Sequence, residues 1–330
     1  MAQRYLLAQM FLGAKAQIEL TRSEYDSVIE AVDKLLECVD AEEKFDCLLE
    51  NYSDLERFMV DQAFESMFSR HEDHVSFQVP RNTTARKLLN FLSSVRLYQD
   101  TVERHAKAIT KDEAAGTAMR TAMSREFDSS LSYRVLDALR NHAQHQSLPV
   151  HGLSVGGTWV KDRTLLEHEF QPMINVEELA RNPEFKKKTL HEIIKGPETL
   201  LLKPMVRDYV ESLSTIHEKF RARTQSNVDQ SLDAITAAKA RLFTEFPDTK
   251  DIGLAVFEAD EEGLKVGEET NLTKGLVDYL AFFEKRIGTL LTLHAVASGT
   301  NAHHKWTGFG RVIRSRPALS FDPSDSTRRR

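Results

Sequence analysis

The sequence predicts a mainly α protein: an up-and-down helical bundle over residues 1–149, an α-rich region with two short β-hairpins over 150–297, and a basic tail over 298–330. Three observations predict it. Apolar residues recur at three- and four-residue spacing through the first 148 positions, which is the period of a helix with one buried face. After Pro149 the texture changes to β-branched and glycine-containing runs. From Ser298 onward no periodicity remains.

The bundle is expected from four segments. Ser23-Glu24-Tyr25 opens the first, with Val28, Ile29, Val32, Leu35 and Leu36 on its apolar face. Glu42 to Arg70 repeats the pattern through Phe45, Leu48, Leu49, Leu55, Phe58 and Met59. A third segment follows Pro80, and a fourth runs from Thr117 to His145. Four such helices with short connections pack most simply as an up-and-down bundle. Beyond Pro149, residues 150–155 and 158–170 read as two strands joined by a turn at Gly156-Gly157. Asn175 is placed to cap a helix whose first turn holds Glu177 and Glu178. Helices are then expected over Pro183–Ile194, Leu200–Arg223 and Val228–Phe243, a second hairpin over 251–267, and a last helix over Thr273–Leu293.

Composition narrows the function classes. A net charge of −6 excludes a uniformly basic nucleic-acid coat but leaves room for a local basic groove. Cys38 and Cys47 lie nine residues apart, on opposite faces of a helix, and read as unpaired thiols of a reducing compartment. No run is long enough to span a bilayer. The expected location is the cytoplasm.

One stretch gathers residues suited to phosphate chemistry: Leu139-Arg140-Asn141-His142-Ala143-Gln144-His145, followed closely by Pro149. Stepping 100° per residue from Leu136 puts Leu139 and Ala143 on the core side. Tyr133, Asp137, Arg140, Asn141, Gln144 and His145 fall on the other side, and His142 turns toward the core margin. Lysine and glutamate, the usual occupants of exposed helix, are absent from Leu131 to Pro149. Pro149 disfavours helical geometry before it, so the helix ends near His145. Histidine titrates near neutral pH and can take a proton from a hydroxyl and return one to a leaving oxygen. Arginine can hold a phosphate at two points and offset charge growing on a phosphorane. Arg140 and His145 are about 140° apart on an ideal helix. A two-fold axis beside this helix would bring two copies of the set to one cleft.

Arg140-Asn141-x-x-x-His145, late in a bundle helix, resembles the R-x(4–6)-H signature of HEPN domains (higher eukaryotes and prokaryotes nucleotide-binding). The resemblance covers residues 1–150 and rests on that motif and the helix count. It implies a metal-independent, cofactor-free endoribonuclease that works as a homodimer on RNA, in a toxin–antitoxin or phage-defence setting with a neutralising or activating protein partner. Catalytic roles pass to Arg140 and His145 and a supporting role to Asn141, with Asp137, Gln144, His142 and Tyr133 around them.

Two other chemistries compete. A non-catalytic module could use the same cleft to bind RNA or a nucleotide, or to dimerise. His142-x-x-His145 and His71-x-x-His74 each set two imidazoles one turn apart, with Glu72 and Asp73 inside the second, but the sequence offers no strong local candidate to complete the three or four ligands a metal needs, so no metal site is expected. In the tail, Lys305, Trp306, Phe309, Arg311, Arg314 and Arg316 mix cations with aromatics, a combination that suits single-stranded nucleic acid or docking on the protein itself.

Overall fold

A strand buried on both faces shows no alternation, and the amino terminus is such a case. The computed structural model describes residues 3–11, 16–68, 73–160, 165–272 and 274–291. The first 148 residues are not all helical: β1 (Arg4–Gln9) and β2 (Gln17–Leu20) form an antiparallel pair. Tyr5, Leu6, Leu7 and Ala8 are all buried in succession, which hides the period of two.

α1 (Arg22–Glu65) joins the first two expected helices into one, because no proline or glycine interrupts the period between them. It opens on a capping box in which the Thr21 hydroxyl accepts from the Glu24 backbone N–H and the Glu24 carboxylate accepts from the Thr21 N–H. α2 (His74–Thr110) is capped by Asp73 and begins ahead of Pro80, which sits inside it. The expected fourth helix is two. α3 (Glu113–Ser129) stops at Ser130, whose extended backbone breaks the rod and whose hydroxyl accepts from Tyr133 N–H to start α4 (Leu131–His145).

After α4 come β3 (Gly152–Val160) and β4 (Leu165–Asn175). Gly156 and Gly157 are not the turn of this hairpin; both lie within β3, paired with Glu169 and His168. Asn175 caps α5 (Val176–Ala180), its side-chain oxygen accepting from Glu177 and Glu178 N–H, as its position in the sequence implies. α6 (Lys187–Ile193) and β5 (Thr199–Leu201) lead into α7 (Leu202–Glu245). α7 again merges two expected helices, since the polar Thr224-Gln225-Ser226-Asn227 stretch contains no breaker. β6 (Leu254–Ala259) and β7 (Lys265–Asn271) form the expected second hairpin, and α8 (Lys274–Leu291) follows.

Side-chain pairs fix how the rods run. Glu37 meets Arg104 and Asp54 meets Lys87, so α2 runs antiparallel to α1. Lys107 meets Glu113 and Glu103 meets Arg120, so α3 returns against α2. Glu56 meets Arg207 and Glu42 meets Arg221, so α7 runs antiparallel to α1. The fourth rod of the bundle is therefore α7, from beyond Pro149, while α3 and α4 together make the third. β1 also pairs with β6, in a sheet of order β2-β1-β6-β7. One continuous apolar core includes Phe45, Phe91 and Leu136 together with Phe170, Leu213 and Phe220. Among the described residues no helix is long and apolar enough to cross a membrane. The basic tail over 298–330 lies outside the described residues.

Candidate functional site at the end of the fourth helix

α4 packs against α7, α2 and α3 through Val135, Leu136, Ala138 and Leu139, all buried. That anchoring leaves its last turn to carry the polar residues. Asn141, Gln144 and His145 are exposed, and Arg140 is half-buried. The Arg140 Nε is buried with no hydrogen-bond partner among the described residues. No side-chain hydrogen bond or ion pair joins Arg140, Asn141, Gln144 or His145 to another described residue. A buried N–H left unpaired costs about 1–3 kcal/mol, which an acceptor brought by a ligand would offset. α4 is helical up to His145, with Gln146 as its cap, so the regular helix keeps Arg140 and His145 on different sides.

The surrounding residues divide differently from the sequence expectation. Tyr133 does not belong to the polar face: it is buried, its hydroxyl accepts from Gln99 Nε2 at 2.6 Å, and its ring packs edge-on against Tyr209. Burial raises the Tyr133 phenol, which stays neutral. On a wheel centred on Leu136, Tyr133 stands 60° away, the same angle as buried Leu139 on the other side, and α2 and α7 cover that flank as well. Asp137 is held by the Lys186 ammonium, which also sits over the Phe127 ring. Arg134 pairs with Glu192 at 2.7 Å. The turn before α6 and α6 itself thus cover the upper part of the polar face and leave its lower end open.

His142 is buried, as its core-margin position predicts, and both ring nitrogens are engaged. Asn182 Oδ1 accepts from Glu184 N–H, so its Nδ2 is the group that donates to His142 Nδ1, at 2.9 Å. The proton therefore sits on His142 Nε2, which donates to Ser147 Oγ at 3.0 Å. Burial lowers the proton affinity of this imidazole. His142 ties the end of α4 to the turn before α6 and has no nitrogen left for substrate.

Two residues that the sequence does not single out lie beside it. His151 faces His142 edge-on with ring centroids 6.0 Å apart, and its Nδ1 accepts from Asn175 N–H. Burial lowers the His151 imidazole first, and His142 and Arg81 lower it further. His151 Nε2 and Arg81 Nε are both buried without a partner among the described residues. Arg81, on α2, and His151, just before β3, are brought to α4 only by the tertiary packing, so no local pattern announces them.

Metal binding finds little support in the residue pairs named from sequence. His142 is spent on Asn182 and Ser147, and His71 lies outside the described residues. Among the described residues, Glu37, Asp40 and His105 bring three ligand-type atoms together. Lys44 Nζ already stands among them, 2.6 Å from Asp40 Oδ2 and 3.0 Å from His105 Nε2, with Arg104 on Glu37. Lys44 thus engages two of the three groups, and Glu37 engages His105 Nδ1.

No protein-family model, curated protein or solved structure matches this chain.

Proposed function

We propose that the exposed end of α4 is a metal-independent endoribonuclease site of HEPN type, completed by a second copy of the chain. The observation that carries the reading is Arg140: a half-buried guanidinium with an unpaired Nε, five residues before an exposed and unengaged His145 on the same helix. An ordinary surface would pair or expose such a cation; a phosphate would satisfy it. RNA brings its own nucleophile in the 2′-hydroxyl, so a base and a cation suffice without metal. His145 takes the hydroxyl proton and later protonates the leaving oxygen. Arg140 offsets the phosphorane charge, and Asn141 positions the phosphate, with Gln144 at the rim. Because one helix holds Arg140 and His145 about 140° apart, the cleft pairs Arg140 of one copy with His145 of the other. The setting that fits is a toxin–antitoxin or phage-defence system in the cytoplasm, with a protein that restrains the enzyme.

Purified protein should cut single-stranded RNA in EDTA and leave cyclic phosphate ends. Expression should be toxic, and His145→Ala should relieve it. Arg140→Ala and His145→Ala should each lower cleavage by about 10²–10⁴-fold, the size of a lost acid–base or charge-stabilising group. Full activity in the double variant sinks the assignment. The angular separation of Arg140 and His145 also favours a second reading, a binding module that holds an RNA phosphate without turnover. Unchanged RNA affinity with no cleavage across substrates would select it.

A further inference from the structure

We propose that Arg81 and His151 form a binding site for a phosphate group, separate from the α4 residues assigned to cleavage. Each carries a buried nitrogen with no partner among the described residues, Nε of Arg81 and Nε2 of His151. For His151 the proton can be placed. Its Nδ1 accepts from Asn175 N–H at 3.1 Å, so the neutral ring carries its hydrogen on Nε2. Both orphaned atoms are therefore donors, and nothing described accepts from either.

Tertiary packing brings the two together. Arg81 stands near the start of α2, and α2 packs against both α4 and β3, the strand that His151 precedes. Its charge is felt at the imidazole, whose proton affinity it helps to lower. No ion pair holds Arg81 among the described residues. Its one side-chain contact runs from Nη2 to Asn82 Oδ1 at 3.4 Å, long for a hydrogen bond. The carboxylate that acts on His151, Glu178, is itself paired with Arg181 at 2.7 Å. Ser147 accepts from His142 Nε2 and keeps its own hydroxyl proton, a further donor close by. Arg81 and His151 are half-buried, and Asn82, Ser147 and Leu148 are exposed, so the pair lies within reach of solvent.

Donors without acceptors select an anion, and their kind selects its class. A guanidinium that cannot lose its charge and a neutral imidazole N–H suit a group with several acceptor oxygens around one centre. Adding a proton to His151 would break the bond from Asn175 N–H, so the site holds a single positive charge. A phosphate satisfies both donors and offsets that charge in one step, whereas a water molecule would accept from them and leave the charge standing. Free phosphate and a backbone phosphate of single-stranded RNA share this chemistry. The site stands whether or not α4 cleaves RNA.

The test uses the full chain, isotope-labelled at its histidine rings for NMR. Inorganic phosphate, exchanged against chloride at constant ionic strength, should shift the His151 Nε2 resonance and saturate. The resonance is assigned by its loss in His151→Gln. Arg81→Met keeps the aliphatic stem and should weaken phosphate about ten-fold, as expected when a charge-assisted hydrogen bond is lost. A 2′-O-methyl RNA oligomer has no 2′-hydroxyl to attack and separates the two sources. If it moves the same resonance and inorganic phosphate displaces it, the ligand is a backbone phosphate. Arg81→Met should then lower the slope of log K against log salt by about 0.7. If inorganic phosphate alone moves the resonance, the ligand is the free ion. The absence of a saturable shift with either probe overturns the proposal. So does an equal shift with acetate, or a shift that survives Arg81→Met. None of these readouts involves cleavage, so the ribonuclease reading stands or falls separately.

Discussion

Histidine behaves in opposite ways at two places on the same helix turn. His145 projects into solvent with nothing attached, whereas His142 is locked between Asn182 and Ser147 beside a second buried imidazole, His151. Burial lowers both His142 and His151 from the ordinary 6.5, so the folded protein binds fewer protons than the unfolded chain as pH falls below that value. Their contribution to stability is complete above pH 6.5 and is lost as pH falls through the lowered folded values. Buried His105 and His217 shift in the same direction. Urea midpoints measured between pH 7.5 and 5 should therefore drop with acidification, and His142→Gln with His151→Gln should flatten the slope. An unchanged slope would place the titration elsewhere. The sequence made the His142–His145 contrast legible, because their angular positions differ by about 60° relative to Leu136. It could not give the partners, since Asn182 and His151 lie in other elements. Tyr133 lies on the same wheel 60° from Leu136, as near as Leu139, and it is buried rather than on the polar face because α4 is flanked by α2 and α7 at its start.

Individual elements are legible wherever a local signal ends them. Asn175 at the start of α5 and the break before Pro149 are of that kind. Helices that merge are harder to read, and α1 and α7 show why: a polar stretch without proline or glycine costs little propensity when tertiary packing supports the rod on both sides. Ser130 shows the reverse, a break made by a single cap inside an unbroken apolar period. It ends α3 and caps α4, so it sets the direction in which Arg140 and His145 are presented. Replacing it with alanine should cost about 1 kcal/mol in urea unfolding, the usual loss for an N-cap hydroxyl. On the proposed function, RNA cleavage should fall as well, because α4 would lose its fixed entry. Ser130→Asp, which keeps an acceptor for the Tyr133 N–H, should recover the stability. If alanine leaves the midpoint unmoved, the cap does not set α4.

At the scale of the whole molecule, the bundle closes only when the chain returns. α7 supplies Tyr209 against Phe91 and Tyr133, and His217 stacks on Phe45 at 3.8 Å. It also supplies both partners of Glu42, a buried carboxylate that Arg221 and His217 hold at about 2 despite the desolvation that opposes it. End the chain before α7 and three consequences follow together. Phe45, Phe91 and Leu136 lose a cover, β1 loses β6, and Glu42 is left without its two partners. Breaking a buried ion pair from one side alone costs about 3–5 kcal/mol, comparable to much of a domain's net stability of about 5–15 kcal/mol. A fragment ending at Pro149 should therefore keep helical far-UV signal but melt without a cooperative transition and bind a hydrophobic dye. The full chain should melt in one step. The sequence did not show this dependence, because periodicity reports that a helix has an apolar face and not which helix covers it. A sharp, concentration-independent melt of the fragment would show that the first 149 residues fold alone and that α7 docks on a finished bundle.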